Sequence, residues 1–284
     1  MQANIVNQLS EDILRSILTN LSSPDLVYFS HTSALIQSIA SCSHVWRTKK
    51  VTILDEKQAS QLLSASSLHP FIRHLDLSNC SARPESIISL ISKFHKVESV
   101  NFKNTDIKID DNLVKILVQK HGKSLKRLVL DRSYNLTNLS VEYISFYCPK
   151  LVELSLYGCM FSESALHMIA ESPIVKTLKV LDLGRCHLIN FAQVHQILGK
   201  FKNLRNLSLA YNDSVTLLDL LEFLQLVRNI AEIDVTDCAE ICKKDVRRLQ
   251  EVRPGMKIVH TSKLEDYSPA SIRAYLIAVT QIPF

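Results

Sequence analysis

Glycine is scarce in this chain, five in 284 residues. That leaves no Gly-rich loop able to fold backbone amides around a phosphate. Neither G-x-S-x-G nor H-E-x-x-H occurs, so the strained nucleophile turn and the zinc-binding helix of metalloproteases are excluded. Cys42-Ser43-His44 brings a thiol and an imidazole together in sequence only, with no group to orient them. Neither catalysis nor a cofactor is expected. Long apolar runs are missing too: the most apolar stretch, Leu217 to Val227, is broken by Asp219 and Glu222, so no membrane span is expected. Met1 to Leu9 has neither the basic start nor the apolar run of a secretory signal. The formal charge is only +5 and is spread along the chain, which does not call for nucleic acid.

What the chain has in quantity is a repeat. Leu151-Val152-Glu153-Leu154-Ser155-Leu156 runs on to Cys159, as L-x-x-L-x-L-x-x-C. The pattern recurs around Leu75, Val100, Leu128, Leu154, Leu181, Leu207 and Ile233, about every 26 residues. Each copy is one short strand, apolar on alternate residues, followed by a helix. Such a unit cannot bury its apolar side alone, and stacking copies builds a continuous core. The expected fold class is therefore α/β: a solenoid of the leucine-rich kind, with parallel strands on the concave face and helices on the convex face. The helices are expected over 85–94, 110–120, 138–147, 162–171, 191–201, 217–228 and 242–251. Val51-Thr52-Ile53 is expected to be the strand of an irregular first repeat, with a helix over 56–64, and Met256-Lys257-Ile258 a closing strand.

Seven cysteines raise the question of disulfides. Four of them, Cys80, Cys159, Cys186 and Cys238, fall instead in the column that ends each strand, shared with Thr105, Ser133 and Asn212. An orphaned buried backbone group costs roughly 1–3 kcal/mol, so this column needs small residues able to donate or accept. Cysteine suits it as a small hydrophobe with a weak donor. Reduced, structural thiols fit the cytosol or nucleus. Cys238 and Cys242 with His260 fall short of a zinc signature, which pairs two close ligands with two more.

Within each strand, the residues between and beside the last two apolar positions face the concave side. The aromatic and arginine residues typical of binding anchors cluster in repeats three to six. Arg127, Arg132, Glu153, Tyr157, Asp182, Arg185 and Tyr211 are the candidate substrate-binding residues. Lys243, Lys244, Arg247, Arg248 and Arg253 make a basic convex face, but no aromatics interleave it, and a solvated surface is the expectation.

The first fifty residues lie outside the repeat. Ser10 is placed to cap a helix carrying Ile13, Leu14, Ile17, Leu18 and Leu21. Ser23-Pro24-Asp25-Leu26 opens a second helix, and a third covers Ala34 to Ser41, before Val45-Trp46. Three short helices cannot bury all of this apolar surface among themselves. The series Leu9-Ser10-Glu11-Asp12-Ile13-Leu14, Ile17-Leu18-x-x-Leu21, Ser23-Pro24-Asp25-Leu26 and Val45-Trp46 resembles an F-box, with Ser10 where that family has proline. F-box followed by cysteine-containing leucine-rich repeats is similar to the F-box/LRR proteins. The resemblance implies a substrate receptor of an SCF-type cullin–RING ubiquitin ligase. The F-box would hold the Skp adaptor through Leu9, Ile13, Ile17, Leu18, Leu21, Pro24, Leu26 and Trp46, and the repeats would hold a protein substrate. The alternative is an interaction scaffold outside any ligase, its helices only capping the solenoid. The expected organisation is 1–50 F-box-like, 51–261 solenoid, and 262–284 a cap or a tail folded onto the concave face.

Overall fold

The computed structural model describes residues 9–46 and 49–261. The expected tail, 262–284, lies outside them. Four helices open the described chain: α1 (Glu11–Asn20), α2 (Ser23–Ser30), α3 (Ala34–Ala40) and α4 (Ser43–Trp46). The sequence had pointed to three, and the fourth is the single turn carrying Val45 and Trp46. Ser10, Ser22 and Ser33 cap the first three, each accepting a backbone N–H from the residue three further on.

Nine strands of three residues follow: β1 (Lys50–Thr52), β2 (His74–Asp76), β3 (Ser99–Asn101), β4 (Arg127–Val129), β5 (Glu153–Ser155), β6 (Val180–Asp182), β7 (Asn206–Ser208), β8 (Glu232–Asp234) and β9 (Lys257–Val259). They pair in chain order in one parallel sheet. The anchors lie in register: Val51 beside Leu75, Leu75 beside Val100, and so on to Ile233 beside Ile258. Parallel neighbours need a crossover, and a helix supplies it each time: α5 (Glu56–Ser64), α6 (Pro84–Lys93), α7 (Asp111–His121), α8 (Asn138–Tyr147), α9 (Glu163–Ala170), α10 (Phe191–Leu198), α11 (Leu217–Leu226) and α12 (Lys243–Val252). The expected helix over 191–201 stops at Leu198, because the chain must turn back to reach β7.

The core is the seam between ladder and helices. Leu75, Val100, Leu128, Leu154, Leu181, Leu207 and Ile233 are all buried there, with Phe94, Phe102, Phe161, Phe201 and Phe223 filling the wider gaps. Most of the strand-end column closes its turn by bonding back one repeat. Cys159 Sγ donates to Leu130 O (3.2 Å), Cys186 Sγ to Leu156 O (3.3 Å) and Cys238 Sγ to Leu209 O (3.2 Å). Asn212 does the same from its amide to Leu183 O (2.9 Å). Burial pushes the Cys159 thiol up to about 12 and the Cys238 thiol to about 11, so neither presents a thiolate at neutral pH.

The helical head is joined to the ladder without a spacer. Helix α2 packs on β1 and α5. The Thr52 N–H donates to Ser23 Oγ (3.2 Å), and Gln37 Nε2 reaches Ser67 Oγ (3.3 Å). Lys49 Nζ donates to Thr19 O (3.0 Å) and Leu21 O, closing the C-terminal end of α1. No described helix is long and apolar enough to cross a membrane.

Candidate interaction surfaces

The repeats of β2 to β8 make the same sharp turn four residues past the anchor, and make it in the left-handed region. Asn79, Asn104, Arg132, Gly158, Arg185, Tyr211 and Asp237 form this column, with φ between 51° and 68°. Asn, Asp and Gly tolerate that conformation, whereas other L-residues lose about 1–2 kcal/mol there. At both ends of the column the tolerant types are used. The intolerant ones, Arg132, Arg185 and Tyr211, stand in the middle repeats, where the sequence had placed the binding anchors.

One residue before this column, the backbone amide is capped by a side chain from the end of the strand. Asp76 accepts from Ser78 N (3.1 Å), Asn101 from Lys103 N (3.0 Å), Asp182 from Gly184 N (2.9 Å) and Asp234 from Thr236 N (2.9 Å). These side chains therefore shape the turn as well as facing outward.

The middle of the concave face sinks into a depression of about 360 Å³. Arg132, Tyr157, Asp182 and Tyr211 line it, so four of the seven candidates meet in one place. Tyr157 and Tyr211 stand edge to face, with centroids 6.3 Å apart, and the Arg132 guanidinium lies 5.9 Å over the Tyr157 ring. Arg127 and Glu153 are elsewhere: they form an ion pair with each other, Nε to Oε1 at 2.7 Å. Both remain partly exposed, so this pair faces a partner as one unit outside the depression. Arg185 is exposed at its turn but does not line the depression.

Asp131 and Asp234 were passed over by the sequence reading and line the same depression. Ser155 Oγ donates to Asp131 and lies 3.3 Å from Asp182. Burial is the main reason both the Asp131 and Asp182 carboxyls are raised above the usual carboxylate range. The sequence signal for both is their inward register.

On the helical head, exposure divides the expected adaptor contacts. Ile13 (50% exposed) and Ile17 (44%) lie one turn apart on the outer side of α1. Pro24 is exposed, and Leu9 and Leu21 are half-buried. Leu18, Leu26 and Trp46 are not surface at all, with exposures of 3%, 0% and 0%, and the Trp46 indole N–H donates to Ala40 O (2.7 Å). These three belong to the head's own core. A helix of this length must bury one side to hold together, and the sequence reading had assigned both sides to the adaptor. Tyr28, Phe29 and Leu35 are exposed apolar residues on α2 and α3 that it missed.

The basic convex face is partly structural. The Arg253 guanidinium caps α11, donating to Leu224 O (2.6 Å) and Arg228 O (2.9 Å). Of the zinc-like set, Cys238 bonds to Leu209 O, and His260 Nε2 lies 3.1 Å from Ile241 O.

A ladder of parallel three-residue strands, each returned by a helix and each closed by a small donor, defines a leucine-rich-repeat solenoid. Here it carries a helical head. No family model matches the chain. F-box/LRR-repeat protein 12 of Arabidopsis thaliana is 25% identical over 126 residues, 44% of this chain. The chain spans 30% of the length of that curated relative. Among solved structures, the yeast Rad7 and Elc1 complex gives a TM-score of 0.43 at 15% identity, covering 88% of this chain and 90% of the other. The TLR13–ssRNA13 complex gives 0.44 at 13% identity, covering 68% and 28%. The curated similarity and the head-plus-ladder architecture together support an F-box/LRR protein.

Proposed function

We propose that this chain is the substrate receptor of an SCF-type cullin–RING ubiquitin ligase, acting in the cytoplasm or nucleus. The head docks on the Skp adaptor and the concave face holds a protein substrate. The chain supplies no covalent chemistry of its own. It raises the local concentration of a substrate lysine beside a charged conjugating enzyme. The observation that carries this reading is the apolar side chains the head leaves exposed, Ile13 and Ile17 on α1, Tyr28 and Phe29 on α2 and Leu35 on α3, while Leu14, Leu18, Leu26 and Trp46 form its core. A head that served only as an end cap would have polar residues there.

Co-purification of the full chain with the Skp adaptor and a cullin tests it. Ile13→Asp with Ile17→Asp should abolish adaptor capture while shifting stability by less than about 0.5 kcal/mol, as surface changes do. Leu18→Ala, one residue away but buried, should instead destabilise the fold by about 2–5 kcal/mol. Undiminished capture by the double variant would remove Ile13 and Ile17 from the adaptor contact, whereas no capture by the unaltered chain would leave the scaffold reading standing.

A further inference from the structure

Although the chain is basic overall, its concave face divides by charge. Several strand carboxylates are already paired: Lys50 Nζ meets Asp76 at 2.6 Å, Arg127 meets Glu153 at 2.7 Å and Lys257 meets Glu232 at 2.9 Å. Asp131, Asp182 and Asp234 line the depression, and among the described residues no ion pair is made to any of them. Asp131 is only 7% exposed. Ser155 Oγ lies between Asp131 and Asp182, and Asp182 also accepts from Gly184 N, so the floor carboxylates are held by hydrogen bonds and not by cations.

Above them the inward column shrinks to Gly184 and Ala210, and Ala210 lines the depression. The Tyr157 ring lies over Gly184, where an added Cβ would stand 2.6 Å from it. Tyr211 closes the other side. Two aromatic walls over a carboxylate floor suit a side chain with an apolar stem and a cationic end, which lies along the rings and delivers its charge to the floor. A phosphoryl group would face like charges instead, and the nearest arginine, Arg132, is held over Tyr157. Resting on the receptor reading above, we propose that this depression accepts a lysine or arginine side chain from an extended basic segment of the substrate. Asp182 and Asp234 take its charge, and Tyr157 and Tyr211 its stem. Lys103 and Arg132, at the N-terminal end of the depression, set the polarity and exclude a second basic residue there.

Fluorescence anisotropy of the full chain tests this, using labelled peptide pools identical except for a central Arg, Gln or phosphoserine. The Arg pool should bind about tenfold or more tightly than the Gln pool, as expected for charge-assisted contacts. Asp182→Asn and Asp234→Asn should each erase that preference. Both should fold normally, because Asn101 already makes the same turn contact in the third strand. Equal binding of the Arg and Gln pools, tighter binding of the phosphoserine pool, or an Arg preference that survives both substitutions would overturn the assignment. Adaptor capture is measured on the same samples. Its loss with the Arg preference intact sinks the receptor role alone, and the converse sinks the basic-residue site alone.

Discussion

The strand-end column shows how one atom decides a residue's worth. Cysteine, asparagine and threonine in this column reach a neighbouring repeat's carbonyl. Ser133 occupies the same place, is buried, and its hydroxyl has no partner among the described residues. Serine Oγ sits closer to the backbone than cysteine Sγ or asparagine Nδ2, and falls short of the carbonyl of Phe102, which stands where Leu130 stands for Cys159. Ser133→Asn should therefore stabilise the protein by about 1 kcal/mol, read as a higher midpoint in urea with unchanged slope. No gain would mean that the hydroxyl is already satisfied by water. The column itself was legible in the sequence from its spacing. Which member fails to bond was not, since reach is a matter of tenths of an ångström.

At the scale of elements, helix α7 is fastened by its last residue. His121 Nε2 donates to Ile91 O (2.8 Å), near the end of α6, and the Val97 N–H donates to Nδ1 (3.4 Å). Both ring nitrogens are thus committed in the neutral form. A second proton would face the Val97 amide. Burial holds the His121 pKa below the usual histidine value, and does the same for His69, whose Nε2 bonds to Leu62 O at 2.7 Å. The unfolded chain therefore takes up protons first as the pH drops. Stability from these two groups is fully present above the unfolded value, near 6.5, and declines as the pH falls below it toward the lower folded values. Thermal melts between pH 7 and 5 should show this decline, and His121→Gln should flatten it. An unchanged slope in that variant would shift the effect to other groups. Neither histidine stands out in the sequence, because a lone His carries no periodic signal.

For the whole molecule, head and ladder form a continuous body. Solenoid stability is a sum of repeats and the interfaces between neighbours, and the head supplies the interface for the first repeat. Deleting residues 1–49 should then expose the free edge of β1 and the apolar faces of Val51 and Leu62. Expected outcomes are a lower melting temperature and association in solution, seen by light scattering. A monomeric truncation with unaltered melting would show the head to be energetically separate. Point substitutions at Ile13 and Ile17 are accordingly the cleaner way to separate adaptor binding from substrate binding.

The sequence by itself determined the ladder: a period near 26, apolar alternation and small donors at strand ends leave one way to bury the apolar sides, and the strand register follows from it. It also marked Tyr157, Asp182, Arg132 and Tyr211 as facing inward together. Only the tertiary structure decided which side of each head helix is core, that Arg127 and Glu153 pair with one another, and that a hollow walled by Tyr157 and Tyr211 lies over carboxylates with no ion pair among the described residues. Those outcomes depend on neighbours about 25 residues away along the chain, brought within a strand spacing of roughly 5 Å. Local pattern fixes which way a side chain points. What it meets there is set by the next repeat.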